Sequence, residues 1–600
     1  MAGQLWTDFN AHDPGITILE QLCYAITDLG RRINYPIPDL LAGRTTDSNC
    51  LYPPAQILPS APVTREDLRK LLIDVTGVKN AWIEPVEAQK LPLYFNTDKK
   101  SLSLQGDSLT AEPVHLKGLY QVLIEPIELG DSNTTVSEQH TRIEADVIAC
   151  LHAHRSLGED IEGIKILTPQ YVRVRADIEI DRVNDAEKLL QQVYQKLAAH
   201  ISPVIPFHSL SELLAQGRQI DEAFTGPLLK HGFIDADALA AAQRRTVLRT
   251  SDLLQIIMDV PGVRAVRLIR IAVGDAWQDW SLDLDPNMAP KLDIETSAIR
   301  LERNRLLVGL NSSGVGVQST NNQSIREQQA DSEISNSDIS PPPGRNRNVE
   351  NYTSIQHQFP AAYGIGPVGL PQSVPPERKA QAGQLRAYLL FFDQLLANYF
   401  SQLAQLGDLF SCAGNETTGE VSARTYFARA VHGSELDFAA LYIKKNPEEH
   451  QARLDQIAVD PYTSSASDTD GEKKPKDFLR RNRFLNHLLA RFAEQFTDYA
   501  MTMYKEAEPS ADTGAGEQEG QVAAQKKLIR DKSQFMQQYP QLSRDRGRAF
   551  NYLQTRSTDN ISGLEQRLNA KLGLELEEQF YLVEHILLRP MQEDEQQQLP

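Results

Sequence analysis

Only 4 cysteines occur among 600 residues. Cys23, Cys50, Cys150 and Cys412 form no CxxC pair and no dense framework. That argues against a disulfide-stapled secreted scaffold and for free thiols in a reducing compartment. Positive charge is also in deficit: 61 Lys and Arg stand against 80 Asp and Glu, a formal net charge of −19. The balance disfavours nucleic acid and anionic membranes as general partners. No basic segment followed by an apolar run opens the sequence, so no signal peptide is expected. No uncharged apolar stretch reaches the roughly 20 residues that cross a bilayer. The nearest, Ala387 to Leu406, is broken by Asp393. The expectation is a chain made and assembled in the cytoplasm, without membrane insertion.

Recognisable reaction chemistry is missing as well. Cys150, His152 and His154 in CLHAH offer a partial metal set, but no second cluster supplies the remaining ligands of a closed site. The glycines of YGIGPVGL, Tyr363 to Leu370, lack the following Lys-Ser/Thr of a phosphate loop. They read better as a turn set by Gly364, Gly366 and Pro367, with Tyr363 and Ile365 packing inward. His12 beside Asp13, and Glu584 beside His585, come with no nucleophile motif. The arginines at 480, 481, 483 and 491, and those at 544, 546 and 548, read as solvated or helix-end charge, or as contacts to an acidic partner. No catalytic residue, cofactor site or metal site is expected, and the chain is read as a non-enzyme.

What is present is material for several cores. With 41% apolar residues the chain has room for roughly three to five domains. Its opening, Leu5 to Gly30, predicts a helix with a sharp start. Asp13 stands at the N-cap and Pro14 at the first helical position. Ile16, Leu19, Leu22, Cys23, Ile26 and Leu29 follow at helical spacing, and Gly30 is expected to end the run. The wording Trp-Thr-Asp-Phe-Asn-x-His-Asp-Pro-Gly-x-Thr-x-Leu-Glu resembles the opening of baseplate J-like wedge proteins of contractile injection systems. These are the phage-tail-like particles of the antifeeding-prophage and Photorhabdus-virulence-cassette kind. In that family sequence precedes this motif, so the resemblance implies a fragment or a misplaced start. Trp6, Phe9, Asp13, Pro14, Gly15, Leu19, Leu22 and Ile26 are the residues expected at an assembly interface.

An internal repeat is the second signal. Thr64 to Val78, TREDLRKLLIDVTGV, matches Arg249 to Val263, RTSDLLQIIMDVPGV, at a constant offset of 185, as from Asp67 to Asp252. Each copy predicts a capped helix, a glycine turn and a strand. Leu68, Leu71, Leu72 and Val75 form one face, mirrored by Leu253, Ile256, Ile257 and Val260. Strands are expected at Gly118–Ile127 and Tyr171–Ile180, and a helix at Ala186–His200. This order is similar to that of baseplate J-like proteins.

From Asn311 the composition turns to Ser, Asn, Gln, Gly and Pro, which predicts a flexible polar insert over 311–350. Further inserts are expected near 463–476 and 506–521. Between them the chain predicts helices. Gln384–Leu406 is apolar on most of its circumference and is expected to be buried in a bundle or at an interface, with Phe391 and Leu395 inside. Asp477–Met503 carries Phe484, Leu488, Phe492 and Phe496 on one face. Another helix starts near Ser562. FYLVEHILLRP, Phe580 to Pro590, reads as strand-like. The stretches NYTSIQHQFPAAYGIGPVGLP, RNRFLNHLLARFAEQF and FYLVEHILLRP resemble the C-terminal half of the larger J-like wedge subunit in extracellular systems.

The expected fold class is α+β and multidomain. A docking-helix region over 1–48 precedes duplicated J-like α/β modules over 49–170 and 171–310. The polar insert follows, then a mainly helical region over 351–600. The resemblance implies a structural wedge subunit that pairs with a second J-like subunit, six wedges forming a ring around the spike and hub. It also implies contacts with inner baseplate and sheath-proximal proteins, six or more copies per particle, and a particle that is released or membrane-anchored. A soluble ligand- or carbohydrate-binding protein built on the α/β modules is the alternative reading.

Overall fold

A computed structural model describes residues 6–7, 9–42, 52–86, 93–98, 100–103, 111–127, 135–181, 185–303, 306–308, 339, 344–412, 425–427, 429, 475–496, 516–557, 560–574 and 582–588. It divides the chain into two compact units. One comprises Met1–Tyr52, Ser340–Tyr539 and Asn569–Glu577; the other comprises Pro53–Ile339, Pro540–Leu568 and Glu578–Pro600.

The first unit opens on helix α1 (Pro14–Ile33), with Pro14 at its first position as expected. Gly30 does not end it; the helix runs three residues further and stops at Asn34. A glycine inside a helix costs only about 1 kcal/mol. Here Asn34 donates its amide to the Gly30 carbonyl at 2.8 Å. Arg31 and Arg32 in the last turn meet the negative end of the helix dipole.

The second unit holds both copies of the repeat. In the first, α2 (Arg65–Ile73) leads into β1 (Val78–Pro85). Next come β2 (Leu119–Pro126), α3 (Val136–Ala153) and β3 (Asp160–Ile166). The sheet order is β1-β2-β3, with β1 antiparallel and β3 parallel to β2. Thr64 and Asp67 form the expected capping box, each side chain bonded to the other's backbone N–H at 3.1 Å.

In the second copy, β4 (Thr168–Ile180) and α4 (Ala186–Ile201) come first. They are followed by α5 (Thr250–Met258), β5 (Val263–Val273), β6 (Met288–Leu292) and β7 (Ala298–Arg303). β5 is antiparallel to β4, and β7 runs parallel to it on the other side, with β6 parallel to its first residues. The same three-strand pattern therefore arises from two chain orders: the helix–turn–strand piece precedes its partner strand in one copy and follows it in the other.

The turns agree bond for bond. Gly77 has φ +91° and Gly262 φ +98°, a region that L side chains rarely adopt. Val78 N–H bonds Val75 O at 3.1 Å, and Val263 N–H bonds Val260 O at 3.1 Å. Ile127 N–H reaches Gly77 O at 2.8 Å, and Asp181 N–H reaches Gly262 O at 3.0 Å. The N-terminal caps differ. Arg249 is the N-cap of α5 and makes no side-chain cap bond. Thr250 instead turns its hydroxyl to the carbonyls of Asp279 and Trp280. The expected cap chemistry holds in the first copy only.

Beyond 351 the chain is mainly helical, with α6 (Pro376–Ala404), α7 (Pro475–Ala490), α8 (Gly516–Arg544) and α9 (Gly563–Leu572). Four of the sequence expectations need correction here. α7 stops at Ala490, not near Met503: the chain turns through Arg491–Ala493, where Ala493 takes φ +54°. Phe492 then stacks on Tyr539, centroids 4.3 Å apart. Residues 516–521, expected as part of a polar insert, begin α8. The strand-like run at 580–590 is, over its described part, a 3-10 turn at His585–Leu588. Phe391 and Leu395 of α6 are exposed rather than buried. The expected inserts otherwise fall on residues outside those described, apart from 339, 344–350 and 475–476.

The expected α+β, multidomain class with a duplicated module and a helical C-terminal region is the architecture observed. The thiols depart from expectation: Cys23 and Cys150 are free, whereas Cys412 is disulfide-bonded. Spacing along a chain does not reveal which thiols a fold brings together.

Candidate assembly interface

The opening motif is a small folded device. Trp6 donates its indole N–H to the Asp13 carboxylate at 2.5 Å and lies 5.5 Å from the Phe9 ring. A Cβ at position 15 would stand 2.8 Å from the Trp6 ring, so Gly15 lets the indole close over the start of α1. Asp13 has the extended backbone of an N-cap, but its side chain does not cap. Its carbonyl receives the Thr17 N–H at 3.2 Å instead.

α1 has two apolar seams. Ile18, Leu22, Ala25 and Leu29 pack into the unit's own core with Ile355, Phe359, Ile365, Leu389, Leu396 and Phe400. Leu22, expected at an interface between chains, is half-buried against this core. The other seam steps by four and three through Leu19, Cys23, Ile26, Gly30 and Ile33, and continues to Ile37 in the next short helix. Leu19, Ile26, Ile33 and Ile37 are 49–70% exposed, and Phe9 is exposed as well. An apolar face broad enough to hold two seams cannot say from spacing alone which of them faces inward.

The core beneath α1 is fixed by a buried carboxylate. Asp393, in the middle of α6, is fully buried. It accepts from Tyr352 Oη at 2.5 Å, Ser354 Oγ at 2.7 Å, Ile355 N at 2.8 Å and Gln356 Nε2 at 2.9 Å. Four donors satisfy an otherwise costly buried charge. They account for Tyr352, Ser354 and Gln356 in the NYTSIQ wording, whose side chains turn to one acceptor, joined by the backbone N–H of Ile355. Burial, reinforced by Asp393, pushes the Tyr352 hydroxyl well above its ordinary pKa.

The other sequence candidates resolve into packing. Burial raises the Cys150 thiol to about 11. His152 stands edge-on to Tyr552, and burial holds its pKa below the ordinary value. His154 Nδ1 lies 2.9 Å from the Cys150 carbonyl. Among the described residues no group of three or more His, Cys, Asp or Glu is placed to hold a metal ion. Gly364 is left-handed at φ +68°, and Ile365 beside it is buried. Glu584 receives both Arg155 guanidinium nitrogens, at 2.9 and 2.6 Å, and the Gly158 N–H at 3.0 Å. Arg481 is buried and donates to the Leu409 and Ser411 carbonyls at 2.8 and 2.6 Å; desolvation lowers its pKa to about 10. The basic run at 480–491 is therefore not one surface. Among the described residues no helix is long and apolar enough to cross a membrane.

Residues 168–328 match a family model described as baseplate wedge Pvc12-like domain 3, a match that begins where β4 begins. Comparison with curated proteins finds no match. Among solved structures the chain is similar to one in the cryo-EM structure of the anti-feeding prophage (AFP) baseplate, 6-fold symmetrised. The identity is 21% and the TM-score 0.57, over 96% of this chain and 93% of that one. The chain thus carries a Pvc12-like baseplate wedge domain within a fold shared with that baseplate component. The resemblance to wedge proteins of contractile injection systems, carried by its opening and its repeat, is borne out.

Proposed function

We propose that this chain is a structural wedge subunit in the baseplate of a phage-tail-like contractile particle. In this reading it assembles with a second J-like subunit into a ring around the spike and hub, and catalysis is no part of its role. The observation that carries the proposal is the fold match along nearly the whole chain to a baseplate component, joined to the wedge-domain match at 168–328. The net charge of −19 suits a subunit that stays soluble before assembly. The exposed seam of α1 supplies a docking element, because an apolar stripe with four-three spacing is the kind that another helix buries.

The test is particle assembly in the producing cell. Deleting the coding sequence should abolish sheathed particles in negative-stain micrographs, and the protein should appear in the mass spectrum of purified baseplates. Ile26→Asp with Leu19→Asp should block incorporation while leaving the isolated chain folded, because both side chains are exposed. Intact particles in the deletion strain would end the proposal. Normal incorporation of the double variant would end the docking role of α1.

A further inference from the structure

Helix α6 has a second apolar face that stands exposed, with no core cluster among the described residues built on it. Its buried residues, Leu389, Asp393, Leu396, Ala397 and Phe400, point to the core that also receives α1. On the opposite side Tyr388, Phe391, Leu395 and Tyr399 follow at steps of three, four and four, and they are 42–64% exposed. At 100° per residue these four fall within one narrow stripe about 16 Å long. No charged side chain interrupts it.

One flank of the stripe is already occupied. Gln394, Asn398 and Gln402, spaced four apart, hold the backbone of residues 425–429. Gln402 donates to Thr425 O at 3.5 Å and accepts from Phe427 N at 3.1 Å. Asn398 accepts from Arg429 N at 3.1 Å, and Gln394 donates to Arg429 O at 2.7 Å. These bonds run along one side of the apolar stripe.

We infer that the Tyr388–Tyr399 stripe seats a single amphipathic α-helix of a different subunit, alongside the backbone held at Thr425, Phe427 and Arg429. The inference rests on the wedge-subunit reading. A helix is the fitting occupant because the stripe is one residue wide and follows the three-four steps that knobs-into-holes packing uses. Its size argues against a second copy of this chain. Aromatic side chains bury about 150–250 Å² each, so the half-exposed stripe offers a few hundred Å². A self-standing dimer needs roughly 800 Å² per partner. The stripe therefore serves as one contact within a larger assembly. Because α1 packs on the opposite side of α6, the exposed seam of α1 and this stripe give the helical unit two separate docking faces.

The experiment places the photo-crosslinking residue p-benzoylphenylalanine at position 391 or 395, and compares isolated chain with purified particles. The expected result is a crosslink in particles to one other subunit, at residues recurring every three or four positions, and none in the isolated chain. Alongside, Phe391→Glu with Tyr399→Glu should leave the melting temperature of the isolated chain within a degree or two and cut incorporation into particles at least tenfold. A crosslink to a second copy, a crosslink to an extended segment, or no crosslink in particles would overturn the inference. So would normal incorporation of the double variant. If the wild-type chain enters no contractile particle, the wedge reading itself has failed. If wild type enters and the glutamate variant enters equally well, only this inference has.

Discussion

Helices α2 and α5 share a sequence pattern and end in the same glycine turn, yet their surroundings differ. α2 is buried on every side from Asp67 to Ile73, whereas α5 keeps Leu254 and Met258 exposed. The difference traces to residues 205–242, which cover the outer face of α2. Leu71 and Ile73 pack there with Ile205, Phe207, Leu229, Ile234 and Leu239. Arg69, the counterpart of Leu254 in the repeat, holds the cover in place. Its guanidinium donates to Ala81 O at 2.7 Å, Leu239 O at 2.9 Å and Asn80 Oδ1 at 2.9 Å, and also to Ala242 O. Burial lowers its pKa to about 10. Asp74 does the same at the far end, accepting from Lys230 N at 2.7 Å and His231 N at 3.1 Å. Two copies of one local fold thus stand as a covered module and an open one: the 205–242 segment packs on the first, and Arg69, where the second copy has Leu254, ties it down.

The sharpest way to break this comparison is at that pair of positions. Arg69→Ala strands several buried carbonyls and should cost about 3 kcal/mol or more. Leu254→Ala, at an exposed site, should stay near 0.5 kcal/mol. Urea midpoints of the two variants would check the contrast, and equal losses would refute it.

The turns should behave alike. Gly77→Ala and Gly262→Ala each force a side chain into the left-handed region, at about 1–2 kcal/mol. At Gly77 the new Cβ would also meet Ile143 at 3.1 Å, which must give by a few tenths of an ångström. Hydrogen exchange at Ile127 and Asp181, the amides that bond the two turns, would report each loss separately.

Smaller still is the cap. Thr64→Ala should cost about 1 kcal/mol by removing the bond to Asp67 N, with faster exchange at that amide. No equivalent loss is expected on replacing Ser251 in the second copy, whose hydroxyl bonds the Asp252 side chain rather than a helix N–H.

The mildest effect is on pH. Burial lowers the pKa of His152 and of His200. For a base with a depressed folded pKa, the unfolded chain takes up protons first. Stability is then full above the unfolded value of about 6.5 and falls as pH drops through the folded values. Urea midpoints between pH 8 and pH 5 should decline, and His152→Gln with His200→Gln should flatten the decline.

The local grammar was legible in the sequence. The Asp-Pro start of α1, the alternation of β4 and the repeated turn all rest on neighbours in the chain, and the structure has each of them. What was not legible depends on partners far away. The 580–590 run has strand-like residues, but Glu584 is drawn to Arg155, and among the described residues the segment pairs with no strand. Helix α8 has apolar positions at Leu528, Ile529, Phe535, Met536 and Tyr539, yet buried Lys532 and Ser533 interrupt the stripe and hid it. At the candidate interface the residue types were visible and their orientation was not. Leu22 and Leu19 look alike in sequence; only the position of α6 sends one inward.

The pair formed by Arg155 and Glu584 also sets an order of events during synthesis. The two residues are 429 positions apart, and at about 5–20 residues per second a ribosome needs roughly 20–90 s to pass from one to the other. Until then the guanidinium at the edge of the first module has no carboxylate to close upon. A polypeptide cut short before residue 584 keeps that edge unlatched, so this contact is open only to chains extended past that position.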